Sequence, residues 1–229
     1  MTQLDAREDV SEAGLSILVV LEILAIFVVS PMTQLGYPTL VLEFSGACLV
    51  LVAAIAILRR NRTAVVIVLM AFTLGMLTSL LRRDDPSKFA IYVDFVAKLV
   101  FLLSLTWVIA FVVFGPGRVT LHRVRGAIAI YLQIAFIFAY SYLLLVRVVP
   151  NAFAPIQVLR DPQSAAPGGY PLVYFSLVTL TSTGYGDIVP VHPVARSLAT
   201  LEALIGQLFP TIVLARLVTL ELEGRRHGS

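Results

Sequence analysis

The sequence predicts an all-α membrane protein with six transmembrane helices and one half-length apolar segment between the fifth and the sixth. Of its 229 residues, 59% are hydrophobic and 14% are charged, whereas soluble domains carry about 25% charged residues. Long apolar runs recur along the chain, and clusters of arginine or Gly-Pro breaks separate them. About 20 apolar residues suffice for a helix to cross a bilayer. This composition excludes a disordered chain and argues against a water-soluble globule.

The residue composition also argues against several functional classes. The single cysteine, Cys48, excludes a disulfide scaffold, and the three histidines lie too far apart for metal-ligand spacing. The net charge of +3 comes from basic residues that border apolar runs, so we expect a lipid bilayer as partner and no nucleic acid. The acidic N-terminus is atypical of a signal peptide. The few polar residues offer no catalytic triad or carboxylate pair, so we expect no enzymatic activity.

Four helices are predicted in the first half of the chain. We expect Pro31 to stop the first helix, arginine clusters to stop the second and third, and Gly115-Pro116-Gly117 to stop the fourth. The predicted helices span residues 14–30, 38–58, 64–81 and 89–114.

The second half predicts two more crossings with an unusual segment between them. Residues 126–146 form the fifth helix, extended at the interface from near Val119, and residues 193–222 form the sixth. Residues 147–170 are rich in proline and glycine and predict an irregular loop. Residues 171–182 are apolar, but a helix of that length reaches only about 18 Å. Six crossings put both termini on one side, and that side carries the larger share of arginines, so we expect both termini in the cytoplasm.

The segment from Tyr170 to Pro190 carries the chemistry. A short apolar helix with Pro171 in its first turn runs into a polar stretch that contains Gly184-Tyr185-Gly186. Glycines adopt left-handed backbone conformations readily, and alternating left- and right-handed residues aim successive carbonyls to one side. A column of such oxygens, repeated around an axis, can replace the water shell of a monovalent cation. Irregular backbone at membrane depth is tolerated where it lines a water-filled path.

This stretch resembles the pore signature of the potassium channel family, in particular the six-helix bacterial type without a cytoplasmic regulatory domain. The resemblance covers residues ~170–220, about a fifth of the chain. It implies a homotetramer with K+ as the permeant ion and no cofactor. The carbonyls of the first four signature residues, with the Ser182 hydroxyl, would bind K+; Gly186 and Asp187 would form the outer mouth. The filter residues are Ser182, Thr183, Gly184, Tyr185 and Gly186.

The resemblance also divides the chain. The predicted parts are an N-terminal tail (1–13), a four-helix sensor-like bundle (14–114), a basic linker (115–125), a pore domain (126–222) and a C-terminal tail (223–229).

Several positions depart from the family pattern. Ser182 replaces the usual Thr and loses its stiffening methyl, and Thr183 brings a hydroxyl that must find a partner behind the filter. Val178 stands where some members carry a Glu. Tyr174 and Phe175 stand where many carry Trp, and Phe175 has no donor with which to brace the filter tyrosine.

Charged residues inside the predicted helices leave alternatives open. Asp94 and Lys98 share a helix face, so we expect an ion pair rather than a strong voltage sensor. Glu22 and Glu43 are intramembrane acids that either pair structurally, bind a proton or a lipid group, or face Lys98. Glu202 either bonds to hydroxyls of the short helix or biases the cavity electrostatically.

The sixth helix contains Gly206 and Pro210, residue types that loosen or kink helices. The resemblance implies a gate hinge there, and the alternative is close helix packing at Gly206. We therefore expect a K+-selective channel subunit in the cytoplasmic membrane that is not strongly voltage-gated. The alternatives are a weakly selective cation channel and a non-conducting membrane sensor or subunit on the same fold. The stimulus that opens the gate does not follow from the sequence.

Overall fold

The computed structural model describes residues 3–34, 62–84, 88–114, 121–155 and 170–226. Within these ranges the chain is almost entirely helical, with a single pair of very short strands. The elements in chain order are α1 (Gln3–Leu24), a π-helical turn (Ala25–Val29), α2 (Ser30–Gln34), α3 (Arg62–Asp84), α4 (Lys88–Val113), α5 (Leu121–Val148), β1 (Phe153–Ala154), α6 (Tyr170–Leu180), β2 (Val189–Pro190) and α7 (Pro193–Arg226).

The apolar stretch of the first helix, Gly14–Met32, agrees with the predicted span 14–30, but the helix itself extends beyond that stretch at both ends. The chain is helical from Gln3 rather than from residue 14, and it stays helical through Pro31 to Gln34. The π-helical turn explains the second difference. The Ser30 N–H donates to the carbonyl of Ala25, five residues earlier, which widens the helix immediately before the proline. Pro31 then lies in the first turn of α2, where its missing N–H costs little.

Four stretches of the described chain are long and apolar enough to cross a membrane: Gly14–Met32, Tyr92–Phe111, Arg123–Val148 and Pro193–Arg216. In α3 the apolar stretch, Val68–Thr78, is shorter than a full span, as is Pro171–Leu180 in α6. The structure thus confirms an all-α, membrane-type architecture. The second predicted helix (38–58), with Glu43, lies outside the described residues, so the number of six crossings stays a prediction.

Two buried apolar clusters hold these helices together, and α5 contributes to both. The first joins α1, α3, α4 and α7 to α5 around residues such as Leu18, Val68, Leu105 and Ile130. The second joins α5 to α4, α6, α7 and the strands. Its members are Phe95, Phe138, Tyr142, Leu143, Ala152, Phe153, Leu172, Phe175, Ile188, Ala195 and Ala199. Helices α4, α5 and α7 contribute to both clusters, so together they connect the N-terminal helices to the C-terminal part of the chain.

The strands were not predicted from the sequence. Phe153 and Ala154 pair antiparallel with Pro190 and Val189, and the Ala152 carbonyl accepts hydrogen bonds from the N–H groups of residues 191 and 192. Two residues per strand show no periodicity that sequence reasoning could detect. The pairing ties the chain after α5 to the chain before α7, and it fixes the exit of the segment between α6 and α7.

Helix α7 exposes a long apolar face. Large side chains along it are about half exposed or more in the single chain, at spacings of three and four residues that keep them on one side. They are Val194, Leu201, Leu204, Leu208 and Ile212, whereas the exposed Leu214 and Val218 lie on other sides of the helix. On α4, Trp107 and Phe111 each expose more than three quarters of their surface in the single chain. Faces of this kind are covered by lipid or by another chain.

Candidate functional site

The segment predicted to bind ions lies between α6 and β2. We call residues 182–187 the signature segment; every residue in it is exposed in the single chain, and Tyr185 is 71% exposed. Helix α6 precedes the signature segment and is only 11 residues long, about 16 Å. An apolar helix of that length is too short to cross a bilayer.

The backbone of the signature segment alternates in handedness. Ser182 has φ 55°, Gly184 has φ 56° and Gly186 has φ 79°. The residues between them, Thr183 and Tyr185, do not have positive φ. The alternation expected from the two glycines is therefore present, and it extends one step further, to a serine. Left-handed backbone at a residue with a Cβ is strained, and it persists only where neighbouring contacts hold it.

The amide groups of the signature segment point back to α6. Ser182 N–H donates to the carbonyl of Thr179 (2.9 Å), and the N–H groups of Thr183 and Gly184 both donate to the carbonyl of Val178 (2.9 and 3.3 Å). These bonds satisfy carbonyls at the end of the helix that otherwise lack partners. The amides of residues 182–184 are thus hydrogen-bonded within the chain.

Side chains on the flanks of the segment also find partners. The hydroxyls of Thr181 and Thr183 lie 2.9 Å apart in a hydrogen bond, so the Thr183 hydroxyl has a partner. The ring of Tyr185 stacks on Tyr174 with centroids 6.3 Å apart and planes 1° from parallel. Phe175 points elsewhere and packs in the buried cluster against Tyr142 and Phe153. Sequence reasoning did not anticipate that Tyr174 stacks on the signature tyrosine.

A buried polar cluster lies behind α6. Glu202 of α7 is fully buried and accepts a hydrogen bond from the Tyr142 hydroxyl (2.6 Å) and another from the Ser176 hydroxyl. Ser176 also contacts the Ala135 carbonyl (2.7 Å). The expectation that Glu202 bonds to a hydroxyl of the short helix is confirmed. Because buried carboxylates need such partners, this cluster locks α5, α6 and α7 together.

Helix α7 also reaches the junction between α6 and the signature segment. A Cβ at Gly206 would lie 1.8 Å from the Leu180 carbonyl oxygen, so only glycine allows this approach. The same oxygen accepts a hydrogen bond from the Tyr131 hydroxyl (3.2 Å). The next residue of α7, Gln207, donates through Nε2 to the Ser182 hydroxyl at 2.7 Å. Close packing at Gly206 is thus confirmed, and Pro210 lies one turn further inside a continuous helix.

Comparison with known proteins places this geometry in a family. A family model described as an ion channel matches residues 163–222. Protein LctB of Bacillus caldotenax is 32% identical over 105 residues, which are 44% of this chain and 74% of that protein. The chain belongs to the ion channel family. Its matched residues include α6, the signature segment and most of α7, so the resemblance drawn from the signature is confirmed at the level of the family.

Two further proteins match part of this chain. Protein LctB of Geobacillus stearothermophilus is 35% identical over 85 residues, 35% of this chain and 59% of that protein. The inward rectifier potassium channel Kirbac3.1 of Paramagnetospirillum magnetotacticum is 35% identical over 80 residues, 34% of this chain. The match spans only 23% of the Kirbac3.1 chain. No solved structure matches this chain.

The N-terminal helices of this ion channel lie outside the family match and make several polar contacts. Lys98 pairs with Asp94 at 3.0 Å, and Asp94 is fully buried, which confirms the expected ion pair. Glu22 of α1 accepts a hydrogen bond from Gln133 Nε2 (2.9 Å), and Gln133 in turn accepts one from the Thr106 hydroxyl (2.6 Å). Glu22 is therefore hydrogen-bonded to α5, as the alternative of structural pairing expects.

Sequence reasoning did not identify two glutamines that make functional-site or interhelical contacts in the structure. Gln133 and Gln207 are uncharged residues in long apolar helices, and neither belongs to a motif. A single amide in a membrane helix is itself a signal, because its unsatisfied donors and acceptor are costly in an apolar surround.

Proposed function

We propose that this ion channel is a K+-selective homotetramer that conducts K+ passively across the cytoplasmic membrane. The observation that carries the proposal is the alternation of left-handed backbone at residues 182, 184 and 186, combined with amides that point back to α6. A strand built this way directs its peptide oxygens away from the helix. Four such strands around an axis supply rings of oxygens that can replace the hydration shell of K+.

The proposed ion sites are the peptide oxygens of Ser182, Thr183, Gly184 and Tyr185, with the Ser182 hydroxyl as the innermost ligand. Gly186 and Asp187 would form the outer mouth. Helix α6 would direct its carboxyl end toward the central cavity, where the partial negative charge of a helix end favours a cation.

The exposed surfaces of the single chain support a tetramer. The signature segment and the apolar face of α7 are both uncovered in one chain. A single copy cannot enclose an ion, because a ring of oxygens needs contributions from several copies. Association through α7 would bury that face and bring the signature segments to a shared axis, with both termini in the cytoplasm.

Gating is proposed to be weakly dependent on voltage. The only cation predicted inside the fourth helix, Lys98, is paired with Asp94, so little net charge would move with the field. The gate would lie on α7, with Gly206 and Pro210 as the region where the helix bends.

Liposomes that contain the purified protein test the proposal. K+-loaded vesicles should release K+ much faster than Na+-loaded vesicles release Na+. Gly184→Ala should abolish the flux, because alanine at φ 56° is strained. Gly75→Ala is the matched control, since nothing described lies within 4 Å of an added Cβ there, and its flux should be unchanged.

Two other outcomes would point to the alternatives. Equal K+ and Na+ fluxes would identify a weakly selective cation channel, which is favoured by one observation: Ser182 lacks the methyl group that stiffens a threonine side chain. A folded tetramer without flux would identify a non-conducting membrane subunit.

A further inference from the structure

Ser182 is the one residue of the signature segment that is left-handed without being glycine. Backbone of this kind needs contacts that hold it in place. The Ser182 N–H bond to Thr179 is one such contact. The second comes from outside the segment, as the hydrogen bond from Gln207 to the Ser182 hydroxyl.

The position of Gln207 is itself fixed. Gly206, its neighbour, packs directly against the Leu180 carbonyl, and the Tyr131 ring lies 6.0 Å from that of Phe209. The Gly206 contact sets the distance between α7 and the end of α6, and Tyr131 ties α5 to both through its ring and its hydroxyl bond to Leu180. The position of the Gln207 amide near Ser182 is therefore set by the close packing of α7 against α6, and not only by the conformation of the glutamine side chain.

We propose that Gln207 is a positioning residue for the innermost ion site, and that it sets K+ selectivity by fixing the Ser182 hydroxyl. This inference rests on the proposed function, because it assigns a role within that same site. It also links α7 to the filter: a bend of α7 at Gly206 would move Gln207 away from Ser182.

The chemistry of a hydroxyl allows this arrangement. A serine oxygen has two lone pairs, so one can accept from Gln207 Nε2 while the other faces an ion. Serine rotates more freely about χ1 than threonine, whose β-branch restricts it. The Gln207 bond supplies the restriction that the missing methyl would have given. The hydrogen bond from α7 thus replaces a covalent constraint.

Reversal potentials in planar bilayers with K+ on one side and Na+ on the other test the role. Gln207→Leu should lower the K+ over Na+ permeability ratio by about threefold to tenfold, the range expected for loss of one hydrogen bond. Ser182→Ala should have a similar effect, and the double variant should be no worse than either single variant. Adding Ser182→Thr to Gln207→Leu should restore selectivity, because threonine brings its own constraint on χ1.

Thr211→Val is the matched control. Its hydroxyl bonds only to the carbonyl of residue 207 in its own helix, so its removal changes the polarity of α7 without touching Ser182, and the permeability ratio should stay at the wild-type value. Thermal stability in K+ against Na+ gives a second readout that does not require current, since a bound ion stabilises the folded state. Gln207→Leu should reduce the extra stability that K+ confers.

The outcomes separate this inference from the proposed function. A selective wild type with an unchanged permeability ratio in Gln207→Leu would overturn the positioning role and leave the channel intact. Additive losses in the double variant, or no rescue by threonine, would do the same. A wild-type protein with neither selective current nor K+-dependent stabilisation would overturn the proposed function, and the role of Gln207 with it.

Discussion

The contact between α6 and α7 at Gly206 gives the sharpest prediction about stability. An added Cβ would lie 1.8 Å from the Leu180 oxygen and 2.7 Å from its carbonyl carbon. Both are backbone atoms, so no side chain can turn away to make room. Reaching an ordinary separation of about 3.5 Å would force the two helices apart by about 1.7 Å.

The magnitude follows from the same contact. Overpacking of a close-packed site costs about 1–3 kcal/mol, which lowers the melting temperature of a chain this size by about 2–12 °C. The shift would also break the Gln207–Ser182 hydrogen bond, so Gly206→Ala should lose K+ selectivity together with stability. Thermal unfolding of the purified protein in detergent measures the first effect, and vesicle flux measures the second.

Two other glycines calibrate the result. At Gly126 the nearest atom to an added Cβ is a side-chain methyl of Val113 at 2.4 Å, whereas at Gly75 nothing described lies within 4 Å. The expected order of destabilisation is Gly206→Ala, then Gly126→Ala, then Gly75→Ala. A Gly206→Ala protein with unchanged melting temperature and unchanged selectivity would refute the close approach of α6 and α7.

The remaining predictions concern the buried polar contacts. Tyr142→Phe should lower the free energy of unfolding by about 1 kcal/mol, because Glu202 loses one of its hydroxyl donors; denaturation of the purified protein measures it. Asp94→Leu should destabilise the protein more than the double change of Asp94 and Lys98 to Leu, since the single change leaves Lys98 unpaired. Lys98→Gln should leave the slope of conductance against voltage unchanged. Gln133→Leu should cost about 2 kcal/mol, because it removes a hydrogen bond on each side of the amide.

Two outcomes would contradict these predictions. Equal stability of Tyr142→Phe and wild type would mean that the Glu202 cluster is not held by that hydroxyl. A voltage slope that falls sharply in Lys98→Gln would make this residue a gating charge and would overturn the ion-pair interpretation.

The sequence predicted those parts of the fold that follow from length and composition. The short helix α6 was expected because an apolar run after Pro171 is too short to cross, and the alternating backbone was expected from Gly184 and Gly186. The Asp94–Lys98 pair followed from their spacing of four. Each of these is a local property of the chain, so a pattern within a few residues was sufficient.

Long-range contacts were beyond that reasoning. Gln207 meets Ser182 and Gln133 meets Glu22 only because helices cross at particular points, and no local pattern encodes a crossing. The π-helical turn before Pro31 has no recognised sequence signal, so the continuation of the helix through this proline does not follow from the sequence.

Diffraction from crystals grown with Tl+, which scatters anomalously and resembles K+ in size and charge, tests the central claim most directly. The account predicts four copies of the chain around an axis, with anomalous peaks on that axis level with the peptide oxygens of Ser182 through Tyr185. A chain whose Tyr185 lies away from any symmetry axis, or an axis without anomalous peaks beside these oxygens, would contradict it.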